Sequence, residues 1–331
     1  MMNKAFYKSA REWLESSKEE IALAVAQSYL ETTWAKSRVE AAHSAVKGAE
    51  HHVEQAQDRY RSGMALKADI LKAEVYLASM KDHLAKEETA LDIVRRRLTL
   101  LVGGDPMAPV DVKADLGALY TSYKDFEATL EQLISLALER RRDYIAQKNR
   151  IEASRYGVRR ALSDYFPKVD ISAAWEWHGH NFPGDSDASD WMVGGVAKLN
   201  IFDGFTREHK LKKAKALMAR EEQKTLLKRK EVMLEVISGL LRVREGKKRV
   251  EASSASVDEA IEALRVMEKR YDVGLATMVE LTDAQTALVD ARSLYIGALH
   301  DYLKAIYSLQ YATGTLLEFV GVGSFSSKEE G

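Results

Sequence analysis

Four short runs hold residue types that could do chemistry. His51-His52 and His178-Gly179-His180 offer imidazoles to a metal, the second beside an acidic stretch. Neither has the ligand spacing of a structural or catalytic site, so the expectation for both is solvated surface histidine. Gly321-Val322-Gly323 could approach a phosphate, but no strand leads into it and no helix follows. Arg140-Arg141-Arg142-Asp143 reads as a helix junction with exposed charge. No nucleophile, base and orienting group come together in the pattern. There is no Cys, which excludes disulfides, zinc–thiolate sites and thiol catalysis. The expectation is a protein that is not an enzyme, with no cofactor and no metal.

Composition narrows the partners. The 331 residues carry 49 Lys+Arg against 50 Asp+Glu, a net charge of −1. A nucleic-acid binder usually shows a basic excess, so none is expected as a partner. Only 4 Pro are present, which favours long helices. No run reaches the roughly 18 apolar residues of a transmembrane helix. The start, Met1-Met2-Asn3-Lys4-Ala5-Phe6, has no apolar signal core.

The elements that must position any site are duplicated. Arg38-Val39-Glu40-Ala41 recurs as Arg249-Val250-Glu251-Ala252, an offset of 211. Arg59-Tyr60-x-x-Gly63-x-Ala65 recurs as Arg270-Tyr271-x-x-Gly274-x-Ala276 at the same offset. Glu20/Glu231, Leu30/Leu241, Ala73/Ala284, Leu77/Leu288 and Gly103/Gly314 keep the register without a gap. The stretches before each Arg-Tyr lack Pro and would form helices of roughly 85–100 Å at 1.5 Å per residue. Such helices imply a coiled-coil-like assembly.

A seven-residue ladder gives their seam. In the second copy it holds Val236, Val243, Val250, Val257, Leu264 and Tyr271, with Gly239, Gly246, Ser253, Ala260 and Met267 three residues after. In the first copy it holds Val25, Thr32, Val39, Val46, Val53 and Tyr60, with Ser28, Ala35, Ala42, Ala49 and Ala56. Spacings of three and four give left-handed knobs-into-holes packing. Small residues at every second position bring backbones close, as among several helices. An ordinary antiparallel bundle or the wall of an α-helical barrel would both satisfy this.

Each long helix should stop at its Gly. Ser62-Gly63-Met64-Ala65 and Val273-Gly274-Leu275-Ala276 form tight tips, because Gly tolerates the left-handed conformation that ends a helix. Thr277-x-x-Glu280 then opens the return helix as a capping box. Leu66-x-x-Asp69 is a weaker version. Gly103-Gly104-Asp105-Pro106 breaks the first return helix.

Between the copies lies the β signal. Residues 167–177 alternate, with Val169, Ile171, Ala173, Trp175 and Trp177 on one face. A polar, acidic loop from His178 to Asp190 follows, then a second alternating run from Trp191 to Phe202. Strand length and Trp placement suit a transmembrane β-barrel strand, and a soluble hairpin over a helix would serve equally. In lipid a lone hairpin would need strands from other copies to close a barrel, hence a homo-oligomer.

With the duplicated Arg-Tyr-x-x-Gly-x-Ala, several further motifs carry a resemblance. They are Phe166-Pro167-Lys168-Val169 entering a strand, Asn200-Ile201-Phe202-Asp203-Gly204-Phe205 leaving one, and Ala312-Thr313-Gly314 closing the last helix. Over about residues 10–318 the chain resembles the outer-membrane efflux protein (TolC-like) family. The resemblance implies a homotrimer sharing one 12-stranded barrel in outer-membrane lipid, with an α-helical barrel crossing the periplasm. It implies a duct serving an efflux or type I secretion system, with a periplasmic adaptor (membrane fusion) protein and an inner-membrane pump as partners. The family's entrance carboxylates fall on Asp69, Glu280 and Asp283. The adaptor would dock at Ser62, Gly63, Met64, Ala65, Val273, Gly274, Leu275 and Ala276. The membrane-facing residues would be Val169, Ile171, Trp175, Trp177 and Trp191. The family's basic gate residue has no counterpart at Ala276.

The expected fold class is mostly α with a small β part: long coiled-coil helical hairpins in a tandem repeat plus one β-hairpin. The expected organisation is a first repeat over 1–104, a linker over 105–129, a second repeat over 130–318 and a flexible tail over 319–331. Within the second repeat fall an upper helix (130–165), the β-hairpin (167–203), a long helix (206–272) and a return helix (277–313). The ruler of 211 maps residue 1 onto Lys212, so counterparts of Leu130–Asp203 would lie upstream, and an N-terminally truncated family member is expected. The alternative function is a soluble periplasmic coiled-coil scaffold or adaptor.

Overall fold

The computed structural model describes residues 2–113, 115–123, 129–178 and 188–321. Among these the elements run α1 (Met2–Arg61), α2 (Lys67–Leu101), α3 (Leu116–Tyr123), α4 (Leu130–Arg140), α5 (Arg142–Ser163), β1 (Lys168–His178), β2 (Ala188–Lys198), α6 (Thr206–Asp272), α7 (Met278–Thr313) and α8 (Leu316–Phe319). The fold is mostly helical with one small antiparallel strand pair. Parts of the expected linker (114 and 124–128), of the acidic loop with Gly179-His180 (179–187), and of the tail with Val322-Gly323 (322–331) lie outside the described residues.

Contacts divide the chain into two units: Met1–Leu14 with Arg142–Lys230, and Glu15–Arg141 with Glu231–Gly331. In the second unit α7 is the central helix. Leu281, Leu288, Leu299, Leu303, Ile306 and Leu309 are buried along it. The ladder of α6 packs as its spacing demands, with Val236, Val243, Val250, Leu264 and Tyr271 buried. Small residues permit the close approach of α6 to α7. A Cβ on Gly246 would stand 3.0 Å from Tyr302 Cα, and one on Gly239 3.2 Å from Leu309 Cδ1. In α1 the small companions Ser28, Ala35, Ala42, Ala49 and Ala56 are all buried, as are Thr32 and Val46 of the ladder. A Cβ on Gly48 would lie 3.0 Å from the Gln285 amide nitrogen of α7.

An aromatic cluster ties α3 and α8 onto α7. Tyr302 Oη donates to the Tyr123 carbonyl (2.7 Å), and Tyr123, Tyr307 and Phe319 pack ring to ring. Gly314 ends α7 in the left-handed conformation (φ 70°), set against the backbone of Arg140 and Arg141.

Two expectations are corrected. The run at 140–143 does break the upper segment into α4 and α5, and Arg140 and Arg142 are exposed as expected, but the other two charges are not: Arg141 is 4% and Asp143 6% accessible. Burial is tolerated because each is paired. Arg141 bonds Glu235 and lies over the Tyr311 ring (5.4 Å), all within the second unit. Asp143 meets Lys228 Nζ at 2.8 Å in the first unit. His52 is likewise buried, while His51 is the solvated one.

In the first unit the first residues of α1, together with α5 and the start of α6, line an open cleft of about 710 Å³ with Trp13, Arg150 and Leu217 among its walls. Ser9 Oγ donates to the Ala146 carbonyl (3.0 Å), and Gln147 donates to Glu221 (3.1 Å). β1 and β2 pair antiparallel with Lys168 opposite Lys198 and His178 opposite Ala188. The second strand therefore lies earlier than its alternation suggested, ending before Leu199. Arg207 explains the stop: its guanidinium takes the carbonyls of Asn200 (2.8 Å) and Ile201 (3.0 Å) out of the ladder. Gly204 and Phe205, both at positive φ, then turn the chain into α6.

Candidate functional site

The two hairpin tips are built alike. At the first, the Gly63 amide donates to the Tyr60 carbonyl (3.0 Å) and the Met64 amide to the Arg59 carbonyl (2.8 Å). At the second, Gly274 donates to Tyr271 (3.0 Å) and Leu275 to Arg270 (2.8 Å). This double closure needs a residue at positive φ, and Gly63 (71°) and Gly274 (78°) supply it. Ser62, Gly63, Met64, Val273, Gly274 and Leu275 are exposed. Ala65 and Ala276 are half-buried, Ala276 packing on the core formed by Ala56, Ala73, Tyr271, Met278 and Leu281.

The candidate carboxylates open the return helices. Glu280 Oε2 accepts from the Thr277 amide (2.7 Å) and hydroxyl (2.9 Å), while the Glu280 amide donates to Thr277 Oγ1 (3.3 Å). The Thr277 amide, and then its hydroxyl, hold the Glu280 carboxyl below its ordinary range. Asp69 Oδ2 accepts from the Leu66 amide (3.0 Å), the same reach-back without a hydroxyl partner. Asp283 is exposed, and its carboxylate makes no hydrogen bond or ion pair among the described residues. It stands one turn from Glu280 on the same helical face. Its counterpart at the offset of 211 is Lys72, so the paired carboxylates belong to the second tip alone.

A clasp joins the tips. Arg59 of α1 donates to the carbonyls of Tyr271 (2.6 Å) and Asp272 (2.7 Å), and its guanidinium lies 4.8 Å over the Tyr271 ring. Gln55 adds a bond to the Asp272 carboxylate. The last carbonyls of a helix lack intrahelical partners and carry its negative end, so a cation from a neighbouring helix caps them. Burial pushes the Tyr271 phenol up, Arg59 opposing. Sequence reasoning marked Arg59 only as part of the repeated motif. Its recurrence beside Tyr was the available signal.

On the β-hairpin, direct pairing puts Trp175 opposite Trp191, Ala173 opposite Val193, Ile171 opposite Gly195 and Val169 opposite Ala197. Facing pairs share a side of an antiparallel ladder, so Val169, Ile171, Trp175 and Trp191 form one apolar face, and all four are exposed. Trp177 pairs Ser189 in the same register; its side chain lies outside the described residues.

The described elements are long helical hairpins with small-residue seams and a strand pair with one exposed apolar face. The description "Outer membrane efflux protein" matches residues 3–104 and 133–315, and the chain belongs to that family. It is 21% identical over 310 residues to outer membrane protein TolC of Vibrio cholerae, covering 92% of this chain and 69% of that protein. It is 21% identical over 332 residues to the alkaline protease secretion protein AprF of Pseudomonas aeruginosa, covering 93% and 64%. The TolC proteins of Salmonella enteritidis and Escherichia coli align over only 36% of their length. Among solved structures, the outer membrane protein VceC of Vibrio cholerae aligns with a TM-score of 0.79 at 20% identity, covering 95% of this chain and 74% of that one. The family's members are channels rather than enzymes.

Proposed function

We propose that this chain is a protomer of the trimeric outer-membrane duct of a tripartite efflux or type I secretion system. It conducts substrates passively from pump and adaptor to the exterior. The observation that carries this reading is the pair of equivalent capped tips on two long hairpins in a chain of this family. The exposed tip residues Met64, Val273 and Leu275 are the adaptor's docking surface. Val169, Ile171, Trp175 and Trp191 face lipid. Asp69, Glu280 and Asp283, repeated by the trimer axis, ring the entrance and favour cations. The bonds from Thr277 that lower the Glu280 pKa keep that charge in place under mild acidity. Specificity resides in the pump.

The test is fractionation of the expressed protein, sizing after detergent extraction, and conductance in planar bilayers. The reading expects an outer-membrane trimer with cation-preferring conductance that weakens in Glu280→Gln/Asp283→Asn. A monomer freely soluble without detergent, or an oligomer without conductance, overturns it.

A further inference from the structure

The clasp between the tips uses only one of two equivalent sets of residues. Within the chain, hairpin one gives the arginine (Arg59) and hairpin two receives it on Tyr271. The offset of 211 turns Arg59 into Arg270 and Tyr271 into Tyr60. Those two images are idle. Tyr60 is 46% exposed where Tyr271 is 3% exposed. Arg270 is exposed, with one long bond to the Leu275 carbonyl (3.4 Å) at its own tip. The backbone that would receive it is already in shape, because Tyr60 and Tyr271 accept the same tip bond from Gly63 and Gly274 at the same 3.0 Å. Each chain thus presents one open donor and one open acceptor of a contact whose geometry it displays internally. Such a head-to-tail contact is satisfied by further copies of the same chain, and a ring leaves none open.

We infer that Arg270 of one copy clasps the tip of α1 in the next, lying over that copy's Tyr60 ring and donating to the carbonyls of its residues 60 and 61. The inference rests on the oligomeric reading above and names the residues that join copies at the tips. The image is incomplete in one respect. Gln55 and Asp272 correspond to Val266 and Arg61, so the extra amide–carboxylate bond of the internal clasp is lost. Arg61 is paired with Asp58 (3.2 Å) and sets a second cation beside the incoming one. The joint between copies is therefore the weaker of the two, and subunits part there before the hairpins of one chain do.

The absence of Cys gives a blank background for cross-linking. Tyr60→Cys/Arg270→Cys in the full chain is treated in membranes with a short bis-maleimide, whose reach Arg59→Cys/Tyr271→Cys calibrates as a link within one chain. The expected result is a ladder of linked chains ending at the ring's copy number for the first pair and a linked monomer for the second. Sizing of the untreated variants separates two failures. Absence of any oligomer removes the duct reading itself. An oligomer that links within chains at 59/271 but never between chains at 60/270 overturns this inference alone. Subunit exchange between differently labelled oligomers gives an independent measure. Tyr60→Ala and Arg270→Ala should each speed exchange about five- to tenfold, the scale of a cation–π contact. The double variant should be no faster than the faster single one. Unchanged rates, or effects that multiply, count against the contact.

Discussion

Gly314 and Gly63 share a backbone conformation, φ 70° and 71°, and differ in what surrounds them. A Cβ at Gly63 would meet nothing within 4 Å. At Gly314 it would stand 3.1 Å from the Arg140 carbonyl carbon and the Arg141 nitrogen and 3.2 Å from Arg140 Cβ. Two of those atoms are backbone and are held by the α4–α5 junction, so they cannot swing aside. Gly63→Ala should therefore cost only the left-handed penalty, about 1–2 kcal/mol. Gly314→Ala adds overpacking against fixed backbone, about 1–3 kcal/mol more. The entropy that Ala removes from the unfolded chain is the same at both sites and cancels from the difference. With a urea m-value of about 3 kcal/mol/M, the midpoints should fall by about 0.5 M for Gly63→Ala and about 1 M for Gly314→Ala. Urea unfolding followed by helical circular dichroism, at one protein concentration, reads both. Equal shifts would falsify the close-approach reasoning, because the conformational term alone would then account for both sites.

Other outcomes follow from the same geometry. Gly246→Ala sets its methyl 3.0 Å from Tyr302 Cα, so overpacking of about 1–3 kcal/mol should outweigh the helix-propensity gain of about 1 kcal/mol; Gly239→Ala meets the movable end of Leu309 and should be near neutral in the same urea assay. Arg141→Met removes a charged hydrogen bond and a ring contact and should cost about 2–4 kcal/mol. Glu235→Gln weakens the neutralisation of the buried Arg141 charge, whereas Arg141→Met leaves only a half-exposed carboxylate, so Glu235→Gln should cost at least as much, and a clearly smaller loss in its denaturation midpoint would sink that account. His52 and His300 are both held below the ordinary imidazole value, chiefly by burial. Their unfolded forms take up protons first as pH falls below about 6.5, so stability is full above that value and declines from it toward the lower folded values. His52→Gln and His300→Gln should each flatten the slope of midpoint against pH between about 7 and 5, and an unchanged slope would mean these imidazoles are not the source.

Much of the fold was legible because its decisive residues act locally. Only Gly readily closes the tips at positive φ, and Thr277 with Glu280 caps α7 from within four residues. The ladder of α6 was readable because each buried position repeats after seven. His52 was misjudged although a signal existed. It follows Ala49 by three residues and precedes Ala56 by four, which places it on the buried stripe of α1, while its neighbour His51 points away. Arg141 and Asp143 were misjudged for a different reason. A run of charge reads as a solvated junction, and only tertiary packing brings Glu235, Tyr311 and Lys228 to neutralise it. Arg59 belonged to a visible motif, but the carbonyls it caps lie more than 200 residues away in sequence. The end of β2 falls earlier than alternation suggests because Arg207 takes carbonyls that alternation alone assigns to the strand.

The two long helices also differ in how rough a surface they offer. The buried stripe of α1 is made largely of Ala and Ser, and beside Gln285 and Val289 of α7 it presents mostly shallow knobs with few side-chain torsions to lock. The stripe of α6 carries Val, Leu and Tyr, which must climb out of their holes to shift. A smooth track facing a toothed one has unequal friction. Under a pull at the tips the smoother track, α1 on α7, is the one expected to yield first.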